Sequence, residues 1–522
     1  MRRTEVKKRL GRRAAGLTAA ITAGALLAAG LLGGSAALDS AKAAEVKRGG
    51  TLVFARPEEP LSMTGFTISD NGSIWAIEQV CDSLLEPDAS GYGLRPALAE
   101  SWDISDDGLI YTLHLRDAKF SNGESVTMDD VQFSLDKATD PEGYLGFVFP
   151  AMTREAVDAK TLKITLEQPF TPLLSTLSLF AANIVHKATF EASPEDFGVR
   201  PVCAGPFKVE SFERGSKLVL VPNEHYWDAQ PHLDKVEMLY VPESNARILG
   251  LKSGDYDVVN VVPLNQAKSI EADPELTLEV APAFRLDYVY LNHAAPPLDN
   301  EDIRMALNYA ANREAILKVV FFGYGEVPNS YMPVINYHCD SIEKITYDPE
   351  KAKALVAGSG YDGTTIELIA PSGDSVARQA AQILQQGWQQ AGLKVEIVEF
   401  DVGTAFGLLE EGKFFAMVSY ITSDTNDQDF LASIQADNTV FGGFFSNYNN
   451  TQVTEWLTAA RKSNDPAERQ DLYCKVQQQV YWDGYSVPLN FKPFVNAYRK
   501  DVIGFHNSVT GPWWLKDVWL DR

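Results

Sequence analysis

Apolar and polar positions change their period several times along this chain, and each change marks an element. Ile110-Tyr111-Thr112-Leu113-His114-Leu115-Arg116 alternates with period two, as a strand with one buried face does. Ser101–Ile104 precedes it across the turn Asp106-Asp107-Gly108, which predicts a hairpin. Phe207–Phe212 and Leu218–Val221 flank Arg214-Gly215-Ser216 as a second hairpin, and Leu162–Glu167 alternates like a further strand. Thr127-Met128-Asp129-Asp130 has the form of a capped helix start, with Val131, Phe133, Leu135 and Ala138 behind it at helical spacing. Val236–Tyr240, Ser244–Lys252 and Val258–Val262 read as strand, helix, strand. Thr365–Ala370, Ser375–Gln390 and Lys394–Phe400 read as a βαβ unit. Asp302–Val320 predicts one long amphipathic helix with Ile303, Ala306, Leu307, Ala310, Ile316 and Leu317 on its buried stripe. Gly50–Phe54 and Phe414–Tyr420 are apolar strands, and Thr451–Ser463 and Pro466–Tyr481 are helices. Strands and helices are mixed throughout, so the expected class is α/β.

The first 43 residues follow a different logic. Residues 1–13 hold seven basic side chains, residues 14–38 carry no charge, and Ala41-Lys42-Ala43 is a small-x-small site. That order predicts an export signal cleaved near Ala43/Ala44. Arg12-Arg13 resembles a twin-arginine pair, so both export routes stay open, and no cysteine precedes Cys81 to carry a lipid. The expected location is the periplasm, with no membrane insertion after cleavage.

Composition narrows the function classes. The chain has 522 residues, 45% hydrophobic and 22% charged, which suits a folded protein of several domains. The net charge is −24, and because the first 43 residues hold eight of the 46 basic and two of the 70 acidic side chains, the remainder carries −30. Such a body does not bind nucleic acid through a basic groove. Four cysteines (Cys81, Cys203, Cys339, Cys474) allow three full pairings in an oxidising compartment, and none forms a C-x-x-C motif. Nucleotide-binding, hydrolase-elbow and zinc-protease motifs are absent, as is a nucleophile-base pair, so a secreted hydrolase lacks support. Asp424-Thr425-Asn426-Asp427-Gln428-Asp429 only partly matches a calcium loop, without glycine at its sixth position. The expectation is a non-enzyme with no cofactor and no metal.

Several segments resemble one family in the same order along the chain. Leu94–Trp102, Tyr111–Arg116, Phe120-Ser121-Asn122-Gly123-Glu124 and Asp129-Asp130-Val131 are similar to the signature of family 5 extracellular solute-binding proteins. These are the dipeptide-, oligopeptide- and nickel-binding components of ABC importers. Ala204-Gly205-Pro206-Phe207, Asn223–Trp227, Leu291-Asn292, Pro296-Pro297-Leu298, Arg304–Ala310, Asn312-Arg313-Glu314 and Tyr347–Ala352 continue the match, which spans about residues 48–520. The residues themselves have scaffold roles: Gly123 permits the positive φ of a tight turn, and Gly205-Pro206 redirects the chain.

The resemblance implies a type II periplasmic-binding-protein fold, with two lobes, an extra third domain and a ligand cleft between the lobes. The implied limits are 44–75, 205–285 and 495–522 for the first lobe, 76–204 for the extra domain and 286–494 for the second lobe. It implies capture of a small peptide or peptide-like solute by hinge closure, and delivery by a monomer to the permease of an ABC importer. An opine, an oligosaccharide or a metal chelate is the alternative ligand. Asp424 matches the aspartate that pairs with a peptide ammonium in the family, with Asp427 beside it, and Arg378 matches an arginine that meets a ligand carboxylate. Tyr420 and Ile421 precede Asp424, where peptide binders usually carry a tryptophan at the position of Ile421, and Gln428 stands where they carry proline. Trp388, Tyr420, Phe441 and Phe444 are candidate apolar walls, with a core position the leading reading of each.

Overall fold

The hairpin expected around Asp106-Asp107-Gly108 forms one edge of a four-stranded antiparallel sheet, in the order Ala99–Ile104, Ile110–Leu115, Thr161–Leu166, Met152–Ala156. Tyr111, Leu113 and Leu115 point into a separate core with Val131 and Leu135 of the helix Met128–Ala138. That helix starts as its sequence predicts: Thr127 and Asp130 cap each other's backbone N–H groups in a reciprocal box. The computed structural model describes residues 46–441 and 444–522, without the side chain of Phe441. The export-signal reading of residues 1–43 and the wall role of Phe441 lie outside the described residues.

Two further sheets form the body. One has seven strands, in the order Leu276–Ala281, Phe494–Arg499, Val258–Val259, Thr51–Arg56, Lys235–Tyr240, Lys217–Pro222, Phe207–Glu213. Its core gathers Phe54, Trp75, Phe505 and Trp513, and the Trp513 ring meets Phe54 edge-on at 4.6 Å. The tryptophan-rich C-terminus thus docks on the core. The other sheet has five strands, in the order Val395–Phe400, Ile366–Pro371, Ala416–Thr422, Arg285–Leu291, Ser486–Phe491. Apolar clusters cover both of its faces, one of them around the helix Ser375–Gln390.

The chain crosses between these two sheets at two neighbouring places. It leaves the first at Ala281 and enters the second at Arg285, then leaves the second at Phe491 and returns at Phe494. The registers Ala281↔Phe494 and Leu286↔Phe491 hold the crossings side by side.

Four local outcomes sharpen the sequence reading. The helix expected over Asp302–Val320 is two helices, Glu301–Ala310 and Arg313–Val319. Ala311 is extended, and the Asn312 side chain accepts the Ala315 N–H to cap the second helix, so a local cap overrides the apolar stripe. The strand expected over Val258–Val262 is two residues long, Val258–Val259. Gly123 has φ 89° in its turn, and a Cβ on Gly205 would sit 2.4 Å from the Val80 carbonyl oxygen, where the chain re-enters the seven-stranded sheet. The cysteines pair as Cys81–Cys203 and Cys339–Cys474.

Candidate ligand cleft

Strand alternation sets the wall of the cleft. Ala416–Thr422 pairs antiparallel with Arg285–Leu291, placing Tyr420 opposite Asp287 and Ile421 opposite Leu286. Neighbouring side chains on a strand face opposite ways. Tyr420 is therefore 41% exposed on one face, while Ile421 packs among Leu286 and Leu431 on the other. The Arg285 guanidinium lies 3.7 Å from the centre of the Tyr420 ring.

Beside Tyr420 lies a cavity of about 290 Å³ with walls from both large sheets. Arg56, Asn71, Trp75 and Val261 line it from the seven-stranded side, and Arg285, Asp287, Asp374 and Lys492 from the other. Burial and the nearby Arg285 lower the Lys492 ammonium to about 8, against the opposing pull of Asp287 and Asp374. A second cavity of about 260 Å³ opens between Phe147, Phe149 and Phe170, which flank the strand pair Met152–Ala156 and Thr161–Leu166 of the four-stranded sheet, and Thr425, Asp429 and Phe430 of the loop and helix after Tyr420.

The loop after Tyr420 carries three aspartates with different surroundings. Asp427 is held by both terminal nitrogens of Arg469, each at 2.9 Å. Asp429 is held by Arg461 at 3.1 Å. The half-buried Asp424 carboxyl has no hydrogen-bond or ion-pair partner among the described residues, and burial pushes its pKa up to about 7. Near Asp424, Glu78 closes the helix Asn71–Ile77. Its Oε2 is buried without a partner, and its carboxyl is held well above the usual range by burial first and by the charges of Asp424 and Glu86 next.

The residues singled out from sequence thus divide. Tyr420 lines the 290 Å³ cavity, and Asp424, four residues on, is near enough to Glu78 for their charges to interact. Ile421 faces the core, and Asp427 is taken up by Arg469. Trp388 is wholly buried, its indole N–H donating to the Leu307 carbonyl at 3.0 Å, so it is core and not a wall. Phe444 is half-buried near Tyr290, with ring centres 6.0 Å apart. Arg378 sits one turn into a helix whose first turn lines the cavity, but its guanidinium pairs with Glu399 in solvent. Sequence reasoning did not single out Arg56, Glu78, Arg285 and Lys492. The only local trace was a charged residue at the end of an apolar strand, as at Arg56 and Arg285, or between two strands, as at Lys492-Pro493.

Among the described residues no helix is long and apolar enough to cross a membrane. The sequence model of bacterial extracellular solute-binding proteins, family 5 (middle part), matches residues 93–442. The glutathione-binding protein GsiB of Escherichia coli (strain K12) is 31% identical over 428 residues, covering 79% of this chain and 83% of that protein. Among solved structures, DppA of Helicobacter pylori in complex with the peptide STSA matches with TM-score 0.83 and 26% identity, covering 91% of this chain and 99% of that one. The binding protein AgaA of A. tumefaciens R10 in complex with agropinic acid matches with TM-score 0.81 and 26% identity, also covering 91% and 99%.

Proposed function

The chain belongs to the bacterial extracellular solute-binding proteins of family 5, and from that premise we propose that it captures a short peptide or peptide-like solute for an ABC importer. It is a binding protein and not an enzyme, with the two-lobed type II fold and an extra domain. The observation that carries the ligand class is Asp424: a half-buried carboxyl, unpaired among the described residues, beside a second unpaired carboxyl on Glu78. Keeping charge there costs free energy that a positive ligand group recovers, because a desolvated ammonium costs several kcal/mol unless it meets fixed carboxylates. A peptide ammonium fits that need, and Tyr420 with the aromatic walls of the second cavity suits peptide side chains. Glutathione joins the ligands to be tried on the strength of the GsiB relative, and an opine on that of AgaA.

The proposed limits are those implied by the resemblance: 44–75, 205–285 and 495–522 for the first lobe, 76–204 for the extra domain and 286–494 for the second lobe. Sheet membership supports them, since the seven-, four- and five-stranded sheets draw their strands from these segments, apart from Arg285 and Phe494 at the crossings. We place the protein in the periplasm after cleavage near Ala43/Ala44, acting as a monomer that docks on a permease. Hinge motion at the two crossings closes the lobes on the ligand.

Calorimetric titration of glutathione and Ala-Ala-Ala into protein freed of co-purified ligand tests the reading. At least one binds, and Asp424→Asn weakens that binding by about 100-fold or more, since the ammonium loses a fixed charge partner in a desolvated site. Binding within threefold of wild type in a folded Asp424→Asn protein overturns the role of Asp424.

A further inference from the structure

The chain joins residues 286–491 to the rest only at the two crossings, and neither disulfide spans the two parts. Every other contact between them is one that opening can break. Residues 76–204 are fixed to the first lobe. The Cys81–Cys203 bridge ties their two ends together, and the Gly205 N–H donates to the Val80 carbonyl at 2.9 Å. Leu179, Phe180 and Val185 share one buried core with Phe54 and Phe207 of the seven-stranded sheet. Towards the second lobe the attachment is of another kind: among the described residues, no cluster of buried apolar side chains contains members from both 76–204 and 286–491.

Hydrogen bonds join them instead. The Thr171 N–H donates to the Arg461 carbonyl at 2.8 Å, and the Thr171 hydroxyl lies 2.8 Å from the Ser463 carbonyl and 2.9 Å from Oδ1 of Asn464. Nearer the crossings, the Tyr92 carbonyl accepts an N–H of Asn336 at 2.7 Å and one of Asn426 at 3.0 Å. The Tyr92 ring meets Phe284 edge-on at 5.1 Å. Oδ1 of Asn426 accepts the Ser175 hydroxyl at 2.8 Å. Asn426 is 5% exposed, so both ends of a buried amide are committed to residues 92 and 175 of the extra domain.

Neither Asn426 nor Thr171 lines the 290 Å³ cavity or the 260 Å³ one, so neither has a place against a solute held there. A hydrogen bond made on closing replaces one made to water on opening, so its net gain is small and the contact stays reversible. A shared apolar core would hold the two parts together permanently.

We propose that the extra domain is a clasp: through Asn426 and Thr171 it holds the lobes closed and sets how long a captured solute stays, whatever the chemistry of that solute. This rests on the reading of hinge motion at the two crossings. Opening hands the Asn426 amide and the Ser175 and Thr171 hydroxyls to water, so loss of the clasp speeds release and leaves the encounter with an open cleft unchanged. Asn426 and Thr171 are positioning residues that act through the lobes. The clasp also works in the empty protein, where it populates the closed form.

Stopped-flow tryptophan fluorescence tests this by following association and dissociation of glutathione and Ala-Ala-Ala on the exported protein and its variants. Dissociation quickens about 10-fold in Asn426→Ala and about threefold in Thr171→Val, while association stays within about twofold of wild type. Thr171→Ser, which keeps the hydroxyl, restores the wild-type rate. Thermal unfolding checks each variant, and Ser175→Ala is read in the same way should Asn426→Ala not fold. Small-angle X-ray scattering of the ligand-stripped proteins reads the clasp without a solute: the radius of gyration rises in the double variant Asn426→Ala/Thr171→Val. Unchanged dissociation in the folded variants, or weaker binding that comes from slower association, overturns the clasp. A double variant with the wild-type radius of gyration overturns it too. Where neither solute binds, the proposed ligand class falls and scattering alone decides the clasp, a larger radius upholding it.

Discussion

Replacing Asp424 by asparagine should stabilise the ligand-free protein while it weakens ligand binding. An ordinary aspartate titrates at about 3.9 in an unfolded chain, and Asp424 at about 7 in the folded one. Folding therefore favours the protonated acid. Below about pH 4 the group is protonated in both states and costs nothing. Between pH 4 and 7 the unfolded chain gives up the proton and the folded protein keeps it, so folding stability falls as pH rises. Above pH 7 the full cost stands. At 1.36 kcal/mol per tenfold, three decades correspond to about 4 kcal/mol, and water in the open cleft reduces that to about 2 kcal/mol. Asparagine has the same shape and carries no charge. For a chain of this size 2 kcal/mol raises Tm by a few degrees. Differential scanning calorimetry of both proteins, stripped of ligand, should show equal Tm near pH 4 and a gap opening towards pH 8, with the variant higher. A variant that melts at or below wild type at pH 8, or a gap that does not change with pH, refutes the reasoning.

Three further outcomes follow from the placement of individual side chains. Arg378→Ala should leave ligand affinity within about twofold in titration calorimetry, because the guanidinium is engaged by Glu399 in solvent, where an ion pair contributes less than about 1 kcal/mol. Trp388→Ala should cost about 3–5 kcal/mol in urea unfolding, because it empties a wholly buried site, and the protein that remains folded should bind ligand as before. Replacing Cys81 and Cys203 by serine should lower unfolding stability by about 2–5 kcal/mol, since their bridge joins residues 122 apart and restrains the unfolded chain.

Much of the architecture is written locally. The Asp106-Asp107-Gly108 hairpin, the Thr127–Asp130 box, the βαβ unit ending at Phe400 and the pivots at Gly123 and Gly205 each depend on a few neighbouring residues, and each forms. The Asp302–Val320 helix was misread for the same local reason: an apolar stripe runs on through Asn312, but one amide side chain suffices to restart the helix. The cleft was less legible. Asp424 stands out through its neighbours in sequence, yet Asp427 and Asp429 look equivalent to it until Arg469 and Arg461 arrive from distant helices to neutralise them. Trp388 looks like a wall until the second lobe closes around it.

By itself the sequence determined the α/β class, the order of the elements and the family pattern, because periodicity, caps and turns act over a few residues. Only the tertiary structure decided which charges go unpaired. Charge compensation falls off over a few ångströms, and the partners that supply or withhold it lie up to hundreds of residues away along the chain. Arg56, Arg285 and Lys492 line one cavity because the chain crosses between its sheets twice at neighbouring places, a fact that no stretch of sequence contains.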